Sequence, residues 1–375
     1  MSNDIKALTM PKWGLAMTEG AVTSWLVDEG VEVKQGEEIL EIETTKITNV
    51  YESPVAGKLR RRTVEAGQTV PVGALLGVIA DASVPEIDID AFITKFQEEF
   101  AVEAAEAGAS AGPEPQFTEA GGRRLRYLVM GQGEGAPLVM IHGFGGDLNN
   151  WQFNQPALAE ERTVYALDLP GHGSSVKHGI GGSVPDLAAA VRDFLDAVGI
   201  DRAHLCGHSM GGAIALHLAT EEPARVASVT LVSSAGLGDE INMDYIEGFI
   251  RADKRKDMKS VLEKLFADSS LVSRDMVEEL LKYKRLDGVP DALRTIAEAT
   301  FPGGKQGHVL ADRVGSVGVP VQAIWGEADE IVPAGHADAI PEGSRHVLKN
   351  AGHMVHMERA GEVNRIISSF VTKAS

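Results

Sequence analysis

Ser209 stands in Gly207-His208-Ser209-Met210-Gly211, between residues 204–207, which read as a strand, and residues 211–221, which have helical spacing. A serine oxygen becomes a useful nucleophile when a tight strand-to-helix turn thrusts it out at a helix N-terminus. Such a turn needs glycine on both sides because other side chains would clash. Upstream, His142-Gly143-Phe144-Gly145-Gly146 follows another strand-like run, and its glycines let backbone amides approach a reacting carbonyl. Downstream come Trp325-Gly-Glu-Ala-Asp329-Glu-Ile-Val-Pro333 and then Ala351-Gly-His353, which supply an acid and an imidazole. These residue types suit attack on an acyl carbonyl. A different chemistry is marked by Lys46, within EIETTKITNVYESPVAG (residues 41–57), between two short runs that alternate apolar and polar residues.

The elements that must position Lys46 are repeated. Moving Gly20, Gly30, Val33, Gly36 and Ile39 forward by the 37 positions that separate Gly20 from Gly57 lays them on Gly57, Gly67, Val70, Gly73 and Leu76. Turn glycines match turn glycines and apolar matches apolar, so two similar sets of strands form a pseudo-two-fold sandwich with Lys46 on a hairpin at the junction. For an arbitrary hairpin lysine, a solvated charge is the better reading. The repeat reverses that preference.

Around Ser209 the pattern alternates. Residues 124–130, 137–142, 163–168, 226–233, 319–325 and 345–348 read as strands, and residues 184–198 and 361–371 as helices. That order implies a mostly parallel sheet covered on both faces. Residues 236–307 interrupt it with helix-rich, charge-dense sequence, expected as a cap that excludes water from the site. Three divisions follow: residues 1–80, an acidic linker at 81–115, and 116–375. The linker carries nine acids against Lys95 alone, yet Phe92, Phe96 and Phe100 recur at the spacing of one helical face. A helix packed on a neighbouring domain is favoured over a docking helix for a partner enzyme.

The formal charge of −19 and pI near 5.0 argue against nucleic acid or anionic membrane as partners. Arg60, Arg61 and Arg62 form a compact basic run. The single cysteine, Cys206, excludes a disulfide framework, and no pair among His142, His172 and His208 has zinc-ligand spacing. No apolar stretch approaches 18 residues and no leader pattern opens the chain, so a cytoplasmic protein is expected.

Residues 4–80, with the MPKWG opening, the interval from Gly30 to Lys46 and Gly57, resemble the lipoyl domain, an all-β barrel-sandwich hybrid whose hairpin lysine carries lipoate in amide linkage. Thr45 and Ile47 depart from the commonest flanks of that lysine, but they favour lipoate over biotin, whose lysine sits between methionines. The second region resembles the α/β-hydrolase fold with a helical cap. That resemblance implies a triad of Ser209, Asp329 and His353, with the amides of Phe144 and Met210 as oxyanion hole. His356 is the alternative base, while Glu327 and Glu330 read as solvated charges. His142, His172 and His208 read as loop-fixing residues, and Cys206 as a small buried hydrophobe.

Both regions together resemble the dihydrolipoamide acetyltransferases of acetoin dehydrogenase complexes. Other lipoyl-bearing acyltransferases use His-x-x-x-Asp-Gly, whereas here Asp287-Gly288 has Tyr283 at the histidine position. The resemblance implies acetyl transfer from S-acetyldihydrolipoyl-Lys46 to coenzyme A. It also implies two partners: a thiamine-diphosphate enzyme that cleaves acetoin, and dihydrolipoamide dehydrogenase, a flavoprotein. A lipoyl-tethered thioesterase and a lipoyl carrier with an idle hydrolase domain stay open as alternatives.

Overall fold

The computed structural model describes residues 5–11, 19–43, 48–109 and 113–374. Two compact units result, Met1–Gly112 and Pro113–Ser375.

The first unit holds β1 (Ile5–Thr9), β2 (Glu19–Trp25), β3 (Glu32–Val33), β4 (Glu38–Glu43), β5 (Thr48–Glu52), β6 (Gly57–Arg62), β7 (Thr69–Pro71) and β8 (Leu75–Ala80). They form two four-stranded antiparallel sheets, ordered β1-β8-β6-β3 and β5-β4-β2-β7. The shift that carries Gly20 onto Gly57 lays β2, β3 and β4 on β6, β7 and β8, so exchanging the halves turns one sheet order into the other. Both sheets share one core, including Leu8, Val22, Ile39, Ile42, Leu59 and Leu76. Lys46, with Thr45 and Ile47, lies outside the described residues. The strands on either side of it, β4 and β5, pair antiparallel with Glu43 opposite Thr48.

The stretch read as an acidic linker contains α1 (Glu86–Ala109), and this helix belongs to the first unit. Ile89, Phe92, Ile93 and Phe96 pack with Leu75 and Val78 of β8. All six residues of β8 are buried because Leu76 and Ile79 face the sandwich core while Leu75 and Val78 lie under the helix. A strand covered on both faces reads as an unbroken apolar run, and LLGVIA is one. The basic run is consumed here too. Arg60 pairs with Glu86, Arg61 with Glu86 and Asp90, and Arg62 with Asp28.

The second unit is built on β9 (Gln116–Ala120), β10 (Arg123–Met130), β11 (Leu138–Ile141), β12 (Val164–Leu167), β13 (Ala203–His208), β14 (Val226–Val232), β15 (Val321–Gly326) and β16 (Arg345–Leu348), ordered β16-β15-β14-β13-β11-β12-β10-β9. The strands from β12 to β16 run parallel across the sheet, and β9 and β10 close one edge antiparallel. Its helices are α2 (Gln155–Leu158), α3 (Val184–Ala197), α4 (Met210–Glu221), α5 (Met243–Arg251), α6 (Arg255–Glu263), α7 (Arg274–Lys284), α8 (Val289–Thr300), α9 (Val355–Glu358) and α10 (Ala360–Ala374). The capping box of Ser183 and Asp186 sets the start of α3. Because β11 lies between β12 and β13, the chain leaves it in opposite directions, and the crevice beyond such strand ends is where ligands bind in open α/β sheets.

Helices α5 to α8 interrupt the alternation between β14 and β15, within the stretch expected to form a cap. The two segments that join them to the sheet are laced together. Gly236 N–H donates to Gln306 Oε1, Gln306 Nε2 to Glu240 O, and Leu310 N–H to Gly236 O. Phe249 of α5 and Phe301 after α8 lie against Phe144, with ring centroids 6.1 and 6.3 Å away.

Candidate active site

Ser209 sits between β13 and α4 with φ 53° and ψ −122°, outside the regions an L-residue prefers. The turn is as tight as the glycine pattern requires. A Cβ on Gly207 would lie 2.2 Å from Gly211 O, and one on Gly211 would lie 2.2 Å from Ile141 O. The backbone around Ser209 is anchored on both sides. Its N–H donates to Val232 O (3.0 Å), and its carbonyl accepts from Gly212 N–H (2.9 Å) and Ala235 N–H (3.0 Å). Sequence reasoning expected this serine to be exposed, but it is only 7% so. The motif describes the bare turn and carries no information about what the rest of the fold lays over it.

His353 and Asp329 come together from separate loops after β16 and β15. The Nδ1 of His353 lies 2.9 and 3.0 Å from the two carboxylate oxygens of Asp329, and both side chains are buried. Asp329 Oδ1 also accepts Ile331 N–H (2.8 Å) and Val332 N–H (3.0 Å), so the carboxylate is fixed before it meets the imidazole. With Nδ1–H donated to the carboxylate, Nε2 carries the lone pair, which is the tautomer a general base needs. Trp325 Nε1 steadies the acid loop by donating to Val332 O (3.1 Å). Glu327 and Glu330 are exposed.

His356 does not meet Asp329. It is buried between Trp151 and His208, at centroid distances of 4.6 and 4.5 Å. Burial holds its pKa down to about 3, so it stays neutral. His208 packs on His353 at 4.6 Å and donates its Nε2–H to His353 O (3.0 Å), tying the candidate base to the residue that precedes Ser209. Burial keeps His208 neutral as well.

The glycine loop after β11 is shaped by two further neutral histidines. His142 accepts Leu169 N–H on Nε2 (3.0 Å) and donates Nδ1–H to Gly143 O (2.8 Å). His172 accepts Gly145 N–H on Nε2 (3.1 Å). Burial depresses the pKa of both, which preserves these acceptor nitrogens. Gly146 N–H donates to Gly143 O (3.2 Å). Among the described residues the N–H groups of Phe144 and Met210 have no acceptor, which leaves them available to a developing oxyanion.

Two residues that sequence reasoning missed sit at the rim of this arrangement. Asn242 bonds the acid loop, and Glu358 bonds the base loop. For Glu358 the only signal was a carboxylate five residues after the base. Cys206 is buried in the core opposite the cap, where burial raises its thiol pKa.

A sequence model of the α/β hydrolase fold family matches residues 136–360, and one of biotin-requiring enzymes matches residues 6–79. The chain is 49% identical over 371 residues to the dihydrolipoyllysine-residue acetyltransferase component of the acetoin cleaving system of Pseudomonas putida, covering 99% of this chain and 100% of that one. The protein of the same name from Cupriavidus necator is 47% identical over 98% of this chain and 97% of its own. Among solved structures, the meta-cleavage product hydrolase of Pseudomonas fluorescens superposes with a TM-score of 0.64 at 22% identity, covering 69% of this chain and 98% of that one, a likeness of fold.

Proposed function

Because the chain belongs to the family of dihydrolipoyllysine-residue acetyltransferase components of acetoin cleaving systems, we propose that its acyl transfer runs through Ser209, His353 and Asp329, with coenzyme A as acceptor. The observation that carries this reading is the buried contact of His353 Nδ1 with Asp329, on loops that follow the carboxyl ends of strands parallel to the one that ends at the strained Ser209.

The lipoyl unit implies covalently bound lipoate, and Lys46 is its proposed attachment site. The pairing of Glu43 with Thr48 supports this, because those two residues bracket a four-residue connection that contains Lys46. The lipoyl group, when bound and in its reduced dihydrolipoyl form, would supply a thiol that can hold the acetyl group as a thioester. Ser209 Oγ attacks the thioester carbonyl and passes its proton to His353 Nε2. The oxyanion accepts hydrogen bonds from Phe144 and Met210 N–H. His353 would then return the proton to the sulfur as the C–S bond of the thioester breaks. Coenzyme A reverses these roles: its thiol gives a proton to His353, its sulfur attacks acetyl-Ser209, and Ser209 leaves and is reprotonated.

Membership of an acetoin cleaving system implies further components. We take these to be a thiamine-diphosphate enzyme that delivers the acetyl group and the flavoprotein dihydrolipoamide dehydrogenase, working with this chain in the cytoplasm. Among the described residues no helix is long and apolar enough to cross a membrane.

The test supplies acetylated dihydrolipoyl protein and follows acetyl-coenzyme A and acetate side by side. Ser209→Ala and Ser209→Ala/His353→Ala are expected to lose the same activity, about a thousandfold or more, since members of such a unit act together. Transfer that survives Ser209→Ala would move the chemistry to direct attack by coenzyme A. Acetate as the main product would make the unit a tethered thioesterase. For the carrier, intact mass is expected to show one lipoyl addition, lost in Lys46→Ala; addition at another lysine would overturn the assignment.

A further inference from the structure

The loops that bear the base and the acid are both hydrogen-bonded to the cap. Met354 N–H, next to the base, donates to Leu265 O (3.0 Å) in the turn after α6. Glu358, half-buried in α9, spans the same junction. One carboxylate oxygen accepts Gly352 N–H (2.6 Å), and the other accepts Ala267 N–H (2.9 Å) and Asp268 N–H (3.4 Å). The turns lie so close that a Cβ on Gly352 would sit 2.7 Å from Ala267 N. On the acid side, Asn242 N–H donates to Ile331 O (2.9 Å) and its Nδ2 to Glu330 O (2.8 Å), while its Oδ1 accepts Tyr245 N–H (3.2 Å) at the start of α5.

We propose that Glu358 is a positioning residue for His353: its carboxylate locks the base-bearing turn to the cap, so that the imidazole is aligned on Ser209 only while the cap is seated. The proposal rests on the reading of Ser209 and His353 as nucleophile and base. Contact with Asp329 holds Nδ1 and the His208 ring supports one face, while the backbone of Gly352 and Met354 sets where the residue itself stands and so where Nε2 points. A shift of about 1 Å from a residue outside the chemistry can cost about a hundredfold in rate. A carboxylate suits the task because two oxygens offer enough lone pairs for three N–H donors, with the charge strengthening each bond. Glutamine keeps one acceptor oxygen and turns an NH2 group toward an amide donor, so either the base turn or the cap turn loses its bond to residue 358, and the Met354–Leu265 bond alone then joins them.

The experiment treats the full-length chain with an alkyl fluorophosphonate, which needs neither lipoate nor coenzyme A. Ser209 Oγ bonds to phosphorus, fluoride leaves, and the serine proton passes to His353. Both the rate and the number of labels per chain are measured, beside the thermal midpoint. Labelling of the wild type that is lost in Ser209→Ala upholds the catalytic reading; its absence removes that reading and this inference with it. Given labelling, Glu358→Gln is expected to react about tenfold to a hundredfold more slowly while still reaching one label per chain with an unchanged midpoint. An unchanged rate overturns the proposal, as does a reduced label count at an unchanged rate per labelled site, which is the signature of misfolding alone. Should Glu358→Gln fail to fold, Glu358→Asp makes the same comparison: it keeps the charge but is one methylene too short to span both turns, and a wild-type rate in it overturns the proposal.

Discussion

Ser209 shows that a single residue can be held against its own preference. Its φ of 53° with ψ of −122° is costly for any residue with a Cβ, on the order of 1–3 kcal/mol. Glycine relieves that cost and returns part of it as unfolded-state entropy. Ser209→Gly and Ser209→Ala should both be inactive, and the glycine variant should be the more stable by about 1 kcal/mol in denaturant unfolding. His356 makes a separate prediction. Its pKa is about 3 when folded, against about 6.5 when unfolded, so between those values the unfolded chain binds a proton that the folded chain refuses. The stability that His356 contributes is complete above pH 6.5 and is lost as pH falls toward 3, at about 1.4 kcal/mol per unit. His142, His172 and His208 are displaced in the same direction by burial and add to the acid loss. In urea titrations at pH 7 and pH 5, His356→Phe should shed one proton's share of the pH dependence and keep acyl transfer. Loss of transfer in a folded His356→Phe protein would return His356 to the list of candidate bases.

Among the elements, α1 is the one whose place the composition concealed. Nine acids against one lysine over 81–115 read as a self-repelling linker, yet Ile89, Phe92 and Phe96 find Leu75 and Val78, and the acids at the helix start find Arg60 and Arg61. Ile89 is fully buried, so Ile89→Asp should destabilise the first unit by about 3 kcal/mol, through lost apolar contact and a carboxylate without partners. Limited proteolysis with mass detection reads the result. In the wild type residues 86–101 should resist cleavage, and in Ile89→Asp they should be cut. Equal resistance in both proteins would mean that this face does not hold the helix.

At the scale of the whole molecule, the charge of −19 opposes the approach of a polyanion such as coenzyme A. Salt screens that repulsion, so kcat/KM for coenzyme A should rise between about 10 and 150 mM salt, over which the Debye length falls from about 30 to 8 Å. A fall instead would point to a local positive field. Residues 251–264, leading into and through α6, are the stretch that could supply one, with six cations against three acids. Charge reversal of Lys254 and Lys256 would then remove the dependence.

What the sequence determined by itself was whatever rests on local backbone geometry or on a period. The elbow around Ser209 was legible because Gly207 answers to a clash with Gly211, four residues on, whereas the need for Gly211 comes from the tertiary contact with Ile141 O. The sandwich was legible because the two halves repeat turn by turn. Asp329 and His353 could be singled out through the family pattern, in the order the fold demands. Tertiary structure alone decided three other matters. It supplied β8 as the surface on which the expected stripe of α1 packs, since the partner of an apolar stripe is named nowhere in the stripe. It buried His356 between Trp151 and His208, which leaves His353 alone on Asp329. It brought Glu358 to the amides of Gly352, Ala267 and Asp268, a convergence of residues about 90 positions apart that no local spacing encodes, because backbone donors are present in every residue and only packing selects which ones meet.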